Sequence, residues 1–233
     1  MNYTELYNTI QTYTENQFPD VYLASGGTVN ATTQINTFIT QAEQRIYNSV
    51  QFPSLRKNVT GTTTSSNKYL SCPSDFLATY SMAVIDATGA YEYLLNKDVN
   101  FIRQAYPTPT DTAIPKYYAL FGPTVSGVTI SNELSFILGP TPDTVYTIEL
   151  HYYYYPESIT TIASGQTWLG DNFDTVLLYG SLVEAYSFMK GEVDIIAGYD
   201  AKYKEALALA KRLGDGMERQ DAYRSGQFRQ AVT

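Results

Sequence analysis

The chain of 233 residues is 44% hydrophobic and 16% charged, with a formal net charge of −8, which supports a packed core and excludes a disordered chain. The acidic balance argues against a tight grip on a phosphate backbone, which needs clustered Lys and Arg; one cysteine, Cys72, excludes disulfide frameworks and multi-thiolate metal sites. The start MNYTELYNTI lacks a basic segment followed by an apolar run, and no stretch reaches the roughly 18 apolar residues of a membrane helix, so a soluble protein with neither leader nor span is expected.

In chain order, Tyr3, Leu6, Tyr7, Ile10 and Tyr13 recur at spacings of three and four and predict a first helix. The glycine-rich stretch ASGGTVN at 24–30 breaks it. Ile35, Phe38, Ile39, Ala42 and Ile46 predict a second helix, with Thr32 or Thr33 as its N-cap and Pro53 after its end. Strands follow. NVTGTTTSSNKYLSCP reads as a hairpin around Ser65–Asn67, and FLATYSMAVIDATGAYEYLL as another turning at Ala87–Gly89. A short helix is expected at Asp98–Ala105. LSFIL, the loop GPTPD and VYTIELHYYYYP form the last strand pair.

Helices return after residue 168. Asp171 or Asn172 is placed to cap NFDTVLLYGSLVEAYSFM, with Asp174 in its positive first turn. That helix is apolar on nearly every side from Val176 to Met189, so it belongs at the centre of a bundle. Lys190–Gly191 ends it. A further helix shows Ile196, Tyr199, Tyr203, Leu207, Ala210 and Leu213 on one face, and Gly214-Asp-Gly stops it. The remainder, MERQDAYRSGQFRQAVT, has no packing period and reads as a tail. The expected fold is thus α+β. Residues 1–54 and 161–213 supply helix pairs that close on each other as one bundle, 55–160 are an inserted antiparallel β domain, and 214–233 are an extended C-terminal arm.

Four consecutive tyrosines in HYYYYP are resolved by strand alternation. Tyr146, Ile148, Leu150, Tyr152 and Tyr154 share an apolar face, whereas Thr147, Glu149, His151, Tyr153 and Tyr155 share the other. Tyr153 and Tyr155 are the rings left over, for a neighbouring loop, another subunit, or a sugar or nucleotide platform. The chain holds 22 tyrosines, a residue with an apolar body and a polar tip that suits half-buried interfaces.

Catalytic chemistry finds little footing. The lone His151 stands two residues from Glu149 on the same face, the spacing of an oriented base, but no G-x-S-x-G turn presents a nucleophile. Cys72 has no partner thiol or histidine in sequence and reads as an inert thiol. There is no calcium-loop pattern and no phosphate-binding glycine motif, so neither metal nor cofactor is expected. The tail is different: Arg219, Arg224 and Arg229 alternate with Tyr223 and Phe228, the residue types that dominate interface energetics.

PSLRKNVTG, KYLSCPSDFL, PKYYALFG, SFILGPTPDTVYTIELHYYYYP, WLGDNFDTVLLYGSLVEAYSFMKGE and LGDGMERQDAYRSGQ together resemble the bacteriophage head-to-tail adaptors of the tail tubular protein A-like, or neck, family. The resemblance spans nearly the whole chain. It implies a non-catalytic virion protein, made in the host cytoplasm, with twelve copies in a ring between the portal protein and the tail nozzle or tube. DNA would pass through the lumen without specific binding, and no membrane is involved. Carried onto this chain, the arm that binds the portal is 214–233, with Arg219, Tyr223, Arg224, Phe228 and Arg229 as contact residues. Tyr153 and Tyr155 would face a neighbouring subunit or the tail. The stretch 17–31 is longer than the family's first interhelical loop. The competing readings are a tail-fibre or receptor-binding module, whose repeats are missing here, and a cell-wall glycan hydrolase, which needs a paired-carboxylate cleft.

Overall fold

Helix α1 (Tyr3–Thr14) begins at Asn2, whose side chain accepts the Glu5 backbone N–H while the Glu5 carboxylate accepts the Asn2 N–H. This reciprocal cap satisfies two of the donors that a helix start leaves open. A small hairpin, β1 (Val21–Tyr22) and β2 (Thr28–Val29), follows where only a loop was expected, with Gly26 at a φ of 84° in its turn. Helix α2 (Ala31–Ser49) is capped by Asn30 and not by Thr32 or Thr33. Asn30 Oδ1 accepts from both the N–H and the hydroxyl of Thr33, so the threonine expected to accept is instead a donor in the first turn. After a 3₁₀ turn at Pro53–Leu55 come β3 (Arg56–Thr62), β4 (Tyr69–Ser71), β5 (Ala78–Ile85), β6 (Tyr91–Tyr93), β7 (Leu95–Asn96) and α3 (Val99–Ala105). Then come β8 (Tyr117–Phe121), β9 (Val125–Ser126), β10 (Thr129–Ile130), β11 (Ser135–Gly139) and β12 (Thr147–Tyr153). Helices α4 (Trp168–Asn172), α5 (Asp174–Phe188) and α6 (Val193–Arg224) close the order. This computed structural model describes residues 1–50, 52–108, 110–122, 125–126, 129–130 and 134–224. The chain divides into two units, one of Met1–Leu55 with everything from Tyr155 onward, the other Arg56–Tyr154.

In the helical unit α5 touches α1, α2, α4 and α6. Its interior residues Val176, Leu177, Leu182 and Ala185 are buried, as an all-round apolar helix requires. Gly180 lets the neighbours approach. A Cβ there would stand 3.2 Å from both Ala42 Cβ and Tyr203 Cε2, so α2 and α6 press against bare backbone. Asp171 and Asn172 do not cap α5. They belong to α4, which Thr167 caps by accepting the Gly170 N–H at 3.1 Å. The chain then turns at Phe173, held by an aromatic cluster in which Phe52 lies 4.9 Å from Trp168 and 5.3 Å from Phe173. Asp174 does sit in the first turn of α5, accepting the Thr175 N–H.

Helix α6 departs furthest from expectation. It buries Tyr203 and Ala210 of the expected face together with Ala206, leaves Ile196, Tyr199 and Leu207 half-buried, and exposes Leu213. It also runs through Gly214 and Gly216 to Arg224 instead of stopping. Each glycine costs about 1 kcal/mol relative to alanine, but the flanking Ala, Leu, Lys, Met, Glu, Arg and Gln are strong helix formers. At 1.5 Å per residue its 32 residues span about 48 Å.

The β unit holds two four-stranded sheets, ordered β3-β12-β5-β6 and β4-β11-β8-β7. All their pairs are antiparallel except β7 with β8. Two expected hairpins do not form. β3 pairs with β12 and β4 with β11, so the turn at Ser66 carries the chain from one sheet to the other. The GPTPD loop likewise leads from β11 to a strand of the opposite sheet. The β5–β6 hairpin does form, closed by the Asp86 carboxylate accepting the Thr88 and Ala90 N–H groups. Asp98 caps α3. One core fills the space between the sheets. Met82, Val84, Ile148 and Leu150 come from one side, Phe136 and Leu138 from the other, with Phe76 edge-on to Phe136 at 5.3 Å.

Two buried polar groups in the helical unit yield predictions. The carboxyl of Glu43, on α2, is 2% exposed and accepts the Ile159 N–H at 3.0 Å. Burial raises its pKa, and hydrogen bonds from Ile159 and Ser158 oppose that rise without cancelling it. A carboxyl with a raised folded-state pKa favours the fold while protonated, and that contribution is lost as pH rises through the folded pKa. Glu43→Gln, which keeps an acceptor oxygen but does not titrate here, is therefore expected to gain on the natural chain as pH rises from about 4 to 7. The gain is about 1 kcal/mol, or about 2–4 °C in Tm. Thermal melts across that range check it, and a difference independent of pH would refute the assignment. The Tyr203 hydroxyl is buried with no hydrogen-bond partner among the described residues. Tyr203→Phe removes that desolvation penalty and should raise Tm by about 2–4 °C, whereas Tyr203→Ala should cost about 3–5 kcal/mol of packing. A lower Tm for the phenylalanine variant would show that the hydroxyl is engaged.

Candidate interaction site

Along β12 burial alternates as the register demands. Ile148, Leu150 and Tyr152 are buried, while Glu149, His151 and Tyr153 are half-buried on the outer face. The Tyr152 hydroxyl donates to Asp75 Oδ1 at 2.8 Å, and Lys57 Nζ donates to the other oxygen at 2.7 Å. Burial works to raise the Asp75 carboxyl, but these two hydrogen bonds hold it below the ordinary carboxylate range. Tyr154 packs partly against the core. Tyr153 lies on the outer face, its ring 6.0 Å from Tyr80, and the Arg56 guanidinium stands 4.4 Å above Tyr80 and 5.7 Å above Tyr153. Tyr155 begins the return into the helical unit, where its hydroxyl donates to Asn48. Of the two rings singled out in sequence, one is thus in an aromatic–guanidinium cluster and the other is pinned to α2.

The same outer face carries the histidine. His151 Nδ1 lies 3.3 Å from Ser81 Oγ, across the β12–β5 register. Glu149, two residues away, accepts from Asn58 Nδ2 at 2.7 Å. The carboxylate that could orient an imidazole is thus committed to the strand on its other side. The four side chains stitch β5, β12 and β3 together across the sheet surface. Cys72 donates its N–H to the Leu134 carbonyl, and burial pushes its thiol up to about 12. Almost none of it is thiolate at neutral pH. Among the described residues no three His, Cys, Asp or Glu side chains gather to hold a metal, and no described helix is long and apolar enough to cross a membrane.

The C-terminal candidates are split. Arg219, Tyr223 and Arg224 fall on the last turns of α6, far along the helix from its start at Val193. Phe228 and Arg229 lie outside the described residues.

A further surface went unmarked in the sequence. Val21, Tyr22, Leu23 and Ala24 are all exposed on and beside the β1–β2 hairpin, Tyr22 at 80%. Contacts gather the other elements at this end. The Tyr186 hydroxyl donates to the Tyr13 carbonyl at 2.8 Å, Phe188 lies 5.3 Å from Phe38, and Gln34 holds the hairpin base through the Pro19 and Val29 carbonyls. Phe188, Val193 and Ile195 are exposed there as well, Val193 at 79%. Four successive exposed apolar residues have no folding rationale of their own. The unbroken run VYLA between Asp20 and Ser25 was the signal that could have found this surface.

No curated protein matches the chain. Residues 1–230 match the family described as SU10 adaptor protein, a span that takes in both structural units. The chain belongs to the SU10 adaptor protein family and is a phage adaptor.

Proposed function

We propose that this chain is a structural component of a phage virion that assembles as a ring joining the portal to the tail, in the manner of the tail tubular protein A-like adaptors. The observation that carries this reading is the family match over residues 1–230. In this reading the helical unit forms the ring as a bundle of the two chain-terminal helix groups. The β unit faces the tail nozzle or tube, and twelve copies surround a lumen through which DNA passes. The acidic balance of the chain suits a wall that DNA slides past. The role is mechanical, so the work is done by surfaces and not by a reactive centre.

The portal-binding segment is the end of the chain from Gly214. The long helix α6 supports this assignment, because it carries Arg219, Tyr223 and Arg224 well beyond Tyr203, which is buried. Phe228 and Arg229 continue the same alternation of arginine and aromatic residues in sequence. Arginine and tyrosine are the residues that most often anchor an interface. Tyr153 and Tyr155 are assigned a lesser role toward a neighbouring subunit or the tail.

Mass photometry of the purified chain with the portal ring of the same phage tests this. The full-length protein is expected to load at about one copy per portal subunit, as a ring adaptor on a symmetric partner must. Reversing Arg219, Arg224 and Arg229 to glutamate is expected to weaken loading by at least about tenfold, the scale of losing one hot-spot contact. Normal loading by the reversed variant would move the contact elsewhere on the chain. No loading by either protein would remove the portal-docking role.

A further inference from the structure

We infer that strand β3 is an acceptor edge: it takes up one extended segment of a different protein, whose backbone becomes the fifth strand of the β3-β12-β5-β6 sheet. The two four-stranded sheets have four edges, and three of them are short, with three residues in β4, three in β6 and two in β7. Short edge strands are one way in which a protein avoids unwanted pairing. β3 is the exception. It runs for seven residues, about 23 Å, in unbroken register with β12, and residues 57–62 are all exposed. Among the described residues only β12 pairs with it, so every second residue turns an N–H and a C=O away from the sheet. The other devices that protect an edge are missing too. β3 has no proline and no bulge, and its one lysine, Lys57, is drawn back onto Asp75 of its own unit at 2.7 Å.

The side chains of β3 define the segment that fits. Lys57, Val59 and Gly61 share the inner face, opposite Tyr152, Leu150 and Ile148 of β12. Val59 is 37% exposed at the margin of the core, so a strand laid alongside sets an apolar residue against it. A Cβ at Gly61 would meet nothing within 4 Å, which leaves room for a large side chain from the added strand. The Lys57 ammonium has donors beyond the one it gives to Asp75 and calls for a carboxylate. The incoming segment therefore carries a carboxylate, an apolar residue and a large residue at alternate positions. A second copy does not supply it. Its β4, β6 and β7 edges are too short to cover seven residues, its β3 (RKNVTGT) brings two cations and no carboxylate, and residues 225–233 hold no Asp or Glu. Length and charge thus select a partner of different sequence. That this partner is a protein of the same phage rests on the adaptor reading above; that β3 accepts a strand does not.

The test is an array of overlapping peptides covering the proteins of the same phage, probed with the full-length chain, with each bound peptide then titrated by fluorescence anisotropy. Residue-resolved hydrogen exchange reads the mode of binding. In the free protein every second amide of residues 57–62 is protected by β12, and a bound strand is expected to slow the others. Val59→Lys places a charge on the open edge and is expected to weaken binding by about tenfold or more, as is lysine in place of the peptide's carboxylate. Val59 is exposed, and circular dichroism melts verify that the variant folds. Three results would overturn the inference: no peptide of the array slows the β3 amides, Val59→Lys binds at natural strength, or the same amides are slowed by self-association without any peptide. An array silent on β3, beside a chain that loads on the portal as expected above, sinks the acceptor edge and leaves the adaptor reading intact. A peptide that slows the β3 amides of a chain that fails to load on the portal does the reverse.

Discussion

Helix α5 is the constraint on which the helical unit depends. A segment apolar on every side cannot face water, so it must be enclosed, and the enclosing helices come from both ends of the chain: α1 and α2 from before the β unit, α4 and α6 from after it. Gly180 and Ser181 show how tightly this is done. The glycine admits Ala42 and Tyr203 to its backbone, and the serine turns its hydroxyl inward onto the Leu177 carbonyl at 2.8 Å, leaving no polar group to solvate. Bringing distant stretches around one helix makes Arg56–Tyr154 an insertion by necessity.

Much of this was legible in the sequence because it rests on short periods. The stripe Ile35, Phe38, Ile39, Ala42 and Ile46 is buried as read, and so is the even register of β12. Pairing was not legible. Turn residues at Ser65–Asn67 and Gly139–Asp143 mark where the chain reverses, but a turn between facing sheets and a turn within one sheet use the same residues. Only the burial of both strands' inner faces against each other tells them apart. Caps were misplaced where two candidates competed: Asn30 beat the threonines because it sits one residue before the helix, where an acceptor is needed. For α6 the apolar face was legible at Tyr203 and Ala210, which are buried together with Ala206, whereas Leu213 at the end of that face is exposed; Gly180 of α5 makes room for the Tyr203 ring.

The candidate surfaces were legible to unequal degrees. Spacing alone separated Tyr152 from Tyr153, but nothing local indicated that Arg56 would stack over Tyr80 and Tyr153, since those residues meet only through strand pairing. Glu149 and His151 share a face in sequence and in space. Their hydrogen bonds nevertheless run outward to Asn58 and Ser81, so shared register does not make a working pair. The exposed run at Val21–Ala24 shows in sequence only as four successive apolar residues, and the fold alone reveals that all four face solvent. Its meaning comes from what it is next to.

The crossing of the chain between sheets has a consequence for how the molecule is made. Strand β12 is central in its sheet, flanked by β3 and β5, and is the last strand of its unit to be synthesised. Until it leaves the ribosome, β3 has no neighbour and β5 has only the short β6. The α1 and α2 faces wait longer still, for α5. The nascent chain therefore carries unpaired strand edges and bare apolar helix faces through most of its translation, and its topology places the closing contacts late. Such surfaces are the kind that chaperones cover, so this topology lengthens the interval in which the nascent chain exposes them.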